Sequence, residues 1–490
     1  MTFLKTALES SCLLRPWVSM AETSGIQIAE WIRSSRLFGG LYQAASRLGG
    51  ASSSILWFGA LFRFVLVVGV IGLFVLLSYS STGVIGAVTM LLFAMVLVGW
   101  ACFRPAVLSK ITIVDVLVAC FLGSAILSTA FSSFFHTSLI GLAKMLTFVA
   151  GYVVFRVVSE NGSTTIGVLM GLLTFIGLSE SVLGLYQYVN HIEPRATWTD
   201  PSLNPELQMS RIFGSLQPAN PNLLAGFLIP CFAAAAGTSM LYFRRKTFWV
   251  SLAFIGIAAL ILVALVLTGS RGGFLAIGGM FVCMFGYLGH LIWHEKELSG
   301  FKWMKPAWLI ILLVSLLTIT GGVLSSEKLR TRVASIFAMR EDSSISYRLN
   351  VYNSAFQMAK DNPIVGIGPG NSTFKLVYGL YMVPGYNALG SYSVPLEITV
   401  EQGLIGLSIF LSLLFVLILR TFLALDSPTL TLQQKLLAGA LLTGIIGSFM
   451  YGIFDTIWYR PSVNLLFWFM VASLAKLTEP QNTNVFKGKL

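Results

Sequence analysis

Apolar runs of membrane-spanning length recur along almost the whole chain. A bilayer core of about 30 Å needs about 20 apolar residues in helix, and twelve runs fit that template: 60–78, 84–103, 111–131, 137–157, 164–188, 222–242, 248–268, 273–293, 306–324, 404–424, 434–454 and 460–477. Each predicts one transmembrane helix. The basic residues between runs then set the sides. Arg33, Arg36, Arg47 and Arg63 put the N-terminus in the cytoplasm. Threading twelve spans brings Arg104 with Lys110, Arg156, Arg244-Arg245-Lys246, Lys296 with Lys302 and Lys305, Arg420, and Lys476 with Lys487 and Lys489 to that same side. Both termini are therefore expected inside.

Composition sharpens this. Of 490 residues, 56% are hydrophobic and 11% charged, against roughly 25% charged in a soluble domain. So little charge cannot coat a water-soluble fold of this length, and the apolar surface must face lipid. The formal net charge of +12 raises the possibility of nucleic acid, but the basic residues are scattered in short clusters instead of forming a patch or stripe. They read as topology, and no nucleic-acid partner is expected. Five cysteines show no C-x-x-C spacing, and the four histidines are read as holding no i,i+4 pair beside a carboxylate, so no zinc site is expected. Neither metal nor cofactor is expected.

The fold class that follows is an all-α polytopic membrane protein of about twelve transmembrane helices with a large helical outer loop. Residues 1–59 form a cytoplasmic segment in which Ile26, Ile28, Trp31, Ile32 and Leu37 suggest an amphipathic helix on the membrane surface. Residues 60–477 form the membrane domain, with an outer loop at 325–403, and 478–490 a cytoplasmic tail. A second outer segment covers 189–221. The large loop carries Lys328, Arg330, Arg332, Arg340, Arg348, Lys360 and Lys375 on the side where few basic residues are expected, and loops above about 60 residues can translocate regardless of charge. Its aromatic and aliphatic residues (Phe337, Tyr352, Phe356, Ile364, Phe374, Tyr378) predict ordered helical packing over the membrane mouth.

Three stretches on the expected outer side stand apart from the apolar background. The first, Arg211-Ile-Phe-Gly214-Ser215 followed by Asn220-Pro221-Asn222, leads into a span. Asn220 and Pro221 suit a helix start, whereas capping gives no reason for Arg211. The second, Thr268-Gly269-Ser270-Arg271-Gly272-Gly273, is a tight hairpin between two spans. Its glycines answer to the turn, but a charge held at the membrane boundary, as Arg271 is, marks a functional site or an arginine reaching lipid phosphate. The third runs from Tyr347-Arg348 through Asn362-Pro363-Ile-Val-Gly366-Ile-Gly368-Pro369-Gly370-Asn371 to Tyr392-Ser393 and Glu401-Gln402-Gly403. A Gly-rich run can cradle phosphate, yet this one lacks the strand and lysine of a P-loop and reads first as a structural turn.

In their order and spacing these motifs, R-x-F-G…N-P-N, T-G-S-R-G-G, Y-R with P-x-x-G-x-G-x-G-N, and E-x-G-L-x-G opening the next span, resemble the O-antigen ligase and polymerase superfamily over about residues 60–475. In finer detail N-P-N-L-L-A-G-F-L and A-L-G-S-Y-S-V-P-L-E-I-x-V-E are similar to a cyanobacterial branch labelled as inorganic-carbon (bicarbonate) transporters. The superfamily resemblance implies metal-independent, inverting glycosyl transfer at the outer face of the inner membrane, from a glycan on undecaprenyl diphosphate to a glycan or lipid acceptor. Arg211, Arg271 and Arg348 would stabilise the departing diphosphate through bidentate hydrogen bonds. Asn220, Asn222, Ser270, Gly368, Gly370 and Asn371 fall at motif positions that would line the substrate site.

One departure stands out. The superfamily's ligases carry His-Asn where Tyr392-Ser393 stands here, and an unperturbed tyrosine, with a pKa near 10, is a poor base at neutral pH. Either Tyr392 orients the acceptor, or Glu397 or Glu401 takes the proton, or this branch does other work. The alternative, a small-anion transporter, would need coupling groups inside the spans, where Glu180 and Asp115 are the candidates. No convincing repeat relates two halves of the chain, and a large outer loop suits a long glycan better than a small ion.

Overall fold

The computed structural model describes residues 14–22, 53–103, 111–194, 210–244, 247–299, 301–334, 343–456 and 459–479. The amphipathic segment expected around Ile26–Leu37 lies outside them, as do Phe337 and Arg340. The described residues form seventeen helices and no strand, so the spanning segments satisfy most of their backbone groups internally, as a hydrocarbon solvent requires. In chain order they are α1 (Arg15–Glu22), α2 (Ser53–Tyr79), α3 (Thr82–Phe103), α4 (Ile113–Phe131), α5 (Phe135–Ser159), α6 (Ser163–Val189), α7 (Pro221–Arg244), α8 (Phe248–Leu267), α9 (Arg271–His294), α10 (Lys296–Ser299), α11 (Met304–Ser325), α12 (Glu327–Ala334), α13 (Ser343–Asp361), α14 (Asn371–Tyr378), α15 (Val394–Leu425), α16 (Leu432–Gly452) and α17 (Pro461–Leu477).

Eleven of these are long and apolar enough to cross a membrane, and the protein is a multi-pass membrane protein. They account for eleven of the twelve expected runs. The twelfth, 460–477, forms α17, a shorter apolar helix. Helices α7, α16 and α17 are buried along most of their length and make the centre. At the other extreme α11 is exposed at almost every described position. It is held chiefly through Trp308, whose ring meets Trp293 at 5.3 Å and Phe285 at 6.1 Å. A helix apolar all round can be stable in that position only if lipid covers it.

Alternating helix directions give the bundle two ends. One, the motif end, carries the starts of α7, α9, α15 and α17. The other, the far end, carries their ends and receives α1, whose Trp17 packs edge-on against Phe415 at 5.3 Å and whose Val18 and Ala21 cover Leu419.

Over the motif end, α13 and α14 build a small core of their own from Val351, Ala355, Met358, Phe374, Val377 and Tyr378, closed by Val400 of α15. The stretch expected to be ordered is thus a packed cap. Phe374 and Tyr378 lie inside it, whereas Phe356 and Ile364 are exposed. Its boundary differs from expectation. Helix α15 begins at Val394, ten residues before the expected span at 404, with a break at Gly403 (φ 65°, ψ −167°).

Helix α17 is short for a related reason. It runs parallel to α5, with Leu465 packed on Gly151 and Ser159 hydrogen-bonded to Ser473, two pairs that share one sequence offset. On that register Pro461 stands level with Thr147, halfway along α5 and about 18 Å short of its motif end. The space beyond α17 is filled by Tyr459, Glu401 and the run 363–371.

The far end holds a network of ion pairs. Arg156 meets Asp115 at 3.4 Å, Glu479 at 3.8 Å, and Glu160. Lys476 meets Glu160 at 2.7 Å and Glu479 at 2.8 Å. His290 and His294 are spaced i,i+4 and stack at 4.5 Å, with Asp426 at 2.7 Å from His290. This corrects the expectation that no two histidines are paired at i,i+4 beside a carboxylate.

Candidate active site at the motif end

The loop entering α7 is pinned from beneath by α6. Gln187 accepts hydrogen bonds from the Phe213 and Gly214 amides at 3.1 and 2.9 Å and donates to the Gly214 carbonyl at 2.8 Å. Two turns along the same face, Glu180 accepts from the Ser215 amide at 2.8 Å and from its hydroxyl. Gly214 has a positive φ of 66°, and a side chain there would strike the Glu180 carboxylate. The loop can therefore lie flat on α6 and hold Arg211 at the end of α8. There Nε donates to the Thr268 carbonyl at 2.7 Å and Nη2 to the Asn222 side chain at 2.7 Å. The glycine of the second motif makes room for this contact, since Gly269 (φ 59°) faces the Arg211 side chain.

Most of the polar neighbours expected to touch substrate have local partners. Asn220 caps α7, its side chain accepting from the Asn222 amide at 2.8 Å. Ser270 caps α9. Asn222 positions Arg211, while its carbonyl accepts from the Tyr451 hydroxyl at 2.6 Å.

Arg271, first residue of α9, and Arg348, on α13, both lie close enough to Arg211 to act on it electrostatically. Burial, together with these two charges, lowers Arg211 to about 10. Asp455 is the carboxylate that meets the group among the described residues. Arg348 bonds it at 3.2 Å and also donates to the Phe454 carbonyl. Burial opposes the Arg348 charge, but Asp455 together with Tyr352, Tyr451 and Tyr392 offsets it and the pKa is raised. The three arginines singled out in the sequence are thus brought together. Tyr451, in the last turn of α16, and Asp455, in the α16–α17 connection, join them, and no glycine- or arginine-rich motif marks either in the sequence.

Tyr392 lies under Arg348, the guanidinium 5.6 Å from its ring centroid, and takes an uncommon positive φ of 56°. Burial and the nearby Tyr347 raise its pKa to about 12, further from the range of a useful base than in free tyrosine. Glu397 is fully buried and accepts from Thr456, the neighbour of Asp455. Its Oε1 has no hydrogen-bond partner among the described residues.

The Gly-rich run and E-x-G prove to be two halves of one device. Gly403 breaks α15, so the Val400 and Glu401 carbonyls lose their helical donors. They accept instead from the Ile367 and Gly368 amides at 2.9 and 3.1 Å, while the freed Leu404 amide donates to the Pro363 carbonyl at 2.8 Å. Glu401 Oε1 accepts from the Gly370 amide at 2.8 Å and from Tyr459. Gly366, Gly368 and Gly370 have φ of 71°, 106° and 107° and press against α15, Ser132 with Ser138, and Gly141 respectively. Their amides are all engaged by protein, so the run's geometry is that of a backbone splice and leaves no phosphate cradle. Asn371, at the start of α14, accepts from Lys144 at 3.2 Å. Among the described residues no group of three His, Cys, Asp or Glu side chains is placed to hold a metal ion.

Residues 256–411 match the family model described as O-antigen ligase. This segment is similar to the O-antigen ligase family. The match covers the hairpin of Arg271, the cap with Arg348, the Gly-rich run and the E-x-G break, and leaves Arg211 and Asp455 outside. It supports a ligase- or polymerase-like glycan-transfer role, with a polysaccharide or lipid-linked substrate. No curated protein matches the chain.

Proposed function

We propose that the protein transfers or polymerises a glycan carried on undecaprenyl diphosphate, acting at the periplasmic face of the inner membrane with both termini in the cytoplasm. The observation that carries this reading is that Arg211 lies within electrostatic reach of both Arg271 and Arg348, with Asp455 paired to Arg348 beside them. Guanidinium groups gathered at one place make a positive site for an anionic ligand, and their planar forks suit the oxygens of a diphosphate. In the reaction an acceptor hydroxyl attacks the anomeric carbon, the bond from that carbon to the diphosphate oxygen breaks, and the polyprenyl diphosphate leaves with the bonding pair. The arginines stabilise the charge that grows on it. Of the groups that could take the hydroxyl proton, Tyr392 is held neutral and Glu401 is engaged by Gly370 and Tyr459. Glu397, with its open oxygen, is assigned the base, and Tyr392 the orientation of the acceptor.

The bicarbonate-carrier reading relied on Glu180 and Asp115 as coupling groups. Glu180 anchors the Arg211 loop and Asp115 pairs with Arg156, which favours the transferase. The test is purified protein in liposomes with a lipid-diphosphate glycan donor and an acceptor. Arg271→Ala should slow transfer about 30- to 1000-fold, corresponding to about 2–4 kcal/mol of transition-state stabilisation. Full transfer by Arg271→Ala made at normal levels would remove the reading, and bicarbonate flux through the wild type would replace it.

A further inference from the structure

Two basic residues near the motif end lie outside the arginine cluster. Lys144 sits ten residues into α5, well within the span, and its side chain is exposed on the bundle surface. It donates to the Asn371 side chain at 3.2 Å, which among the described residues leaves most of its donor capacity open. One turn earlier on the same side of α5, Ile140 is exposed at 56%, so Lys144 borders an apolar exposed surface. Such a surface faces hydrocarbon, where an ammonium group is costly unless an anion reaches it.

Arg460 precedes α17 and is half-buried. Its guanidinium has no hydrogen bond or ion pair among the described residues, and burial lowers its pKa with no acid opposing the shift. On the α5–α17 register it stands level with Leu146, half a turn from Lys144. Lys144 also lies on the same face of α5 as Gly151, where α17 packs, and its side chain therefore projects over the start of α17. Glu401 links the two positions, since it lies within electrostatic reach of Lys144 and accepts from Tyr459, the residue next to Arg460. That carboxylate is already engaged by the Gly370 amide.

We propose that Lys144 and Arg460 form a second anion site, open to the membrane, for a phosphate group carried by a lipid. The lipid-facing surroundings of Lys144 choose this source over a soluble ion. The inference rests on the proposed function in one respect: the lipid is taken to be the polyprenyl-linked substrate or product on its way to or from the arginine cluster.

The experiment measures binding of a polyprenyl monophosphate, and separately of inorganic phosphate, to purified full-length protein, with glycan transfer assayed in parallel. Lys144→Gln and Arg460→Gln should each weaken polyprenyl monophosphate binding about 10-fold and together about 100-fold, as expected for losing charge-assisted hydrogen bonds. Arg460→Lys should recover part of the loss and also serves if the glutamine variant fails to fold. Inorganic phosphate binding that falls equally in the variants supports the anion site and assigns it to a free ion. Wild-type transfer combined with unchanged lipid binding in Arg460→Gln, Arg460→Lys and Lys144→Gln overturns the second site and leaves the proposed function standing. A wild type that neither transfers glycan nor binds polyprenyl monophosphate overturns both.

Discussion

The two ends of the bundle handle charge in opposite ways. At the far end Arg156 and Lys476 share Asp115, Glu160 and Glu479, and Arg420 donates to the Thr478 and Ala475 carbonyls. At the motif end Arg211 lies within electrostatic reach of Arg271, Arg348 and Asp455, and Arg348 pairs with Asp455. A buried charge is tolerable only when something answers it. The far end is answered by the protein itself, so it reads as a clasp. The motif end gathers several guanidinium groups at one place, so it reads as a site. Basic residues are present at both ends, and how they are grouped makes the difference.

Substitutions that unbalance each end would break or sharpen this contrast. The largest effect is expected from Arg211→Ala, with glycan transfer down about 30- to 1000-fold in liposomes and Arg211→Lys recovering only part of it. Because Arg211 is lowered to about 10, it stays charged at neutral pH, and diphosphate binding should hold through pH 9 and weaken as the pH rises past 10. Affinity that is flat to pH 11 would place the binding charge elsewhere.

Next comes the far end. Asp115→Ala leaves Arg156 short of a partner and removes the acceptor of the Tyr152 hydroxyl at 2.6 Å, so thermal unfolding in detergent should report a loss of about 2–4 kcal/mol. Transfer per folded molecule should stay at the wild-type value. A transfer defect as deep as that of Arg211→Ala would show the two ends to be coupled and the contrast mistaken.

Gly370→Ala tests the splice between them. A Cβ there would stand 2.7 Å from the Gly141 Cα, at a φ of 107°, and about 1–3 kcal/mol of stability should be lost. Serine at this position should be no better, because the backbone and not a side chain is what packs. The smallest effect is expected from Tyr392→Phe. If the hydroxyl only orients the acceptor, transfer should fall less than tenfold, mainly through acceptor KM. A raised pKa of about 12 also means that no tyrosine ionisation should shape the rate profile near pH 10. A loss as severe as that of Arg211→Ala would make Tyr392 a proton-transfer group and displace Glu397.

Twelve apolar runs were legible because a bilayer leaves the backbone no alternative to helix, and hydropathy counts residues without needing their neighbours. Arg211, Arg271 and Arg348 were legible through the short motifs that hold them, R-x-F-G, T-G-S-R-G-G and Y-R. Pairing was not written there. Gly366, Gly368 and Gly370 suggested a loop that could hold phosphate, yet only the folded chain shows that Gly403 unpairs α15 and hands its carbonyls to that loop. Gln187 and Asp455 belong to no motif in the sequence, and only the folded chain shows that one pins the Arg211 loop and the other pairs with Arg348. Lys144 and Arg460, more than three hundred residues apart, become neighbours in height only through the α5–α17 register. Sequence alone determined which segments enter the membrane, because that depends on solvent transfer summed along a helix. Tertiary structure decided which charges are answered and which stand open, because a Coulomb partner is set by distance in space and not by position along the chain.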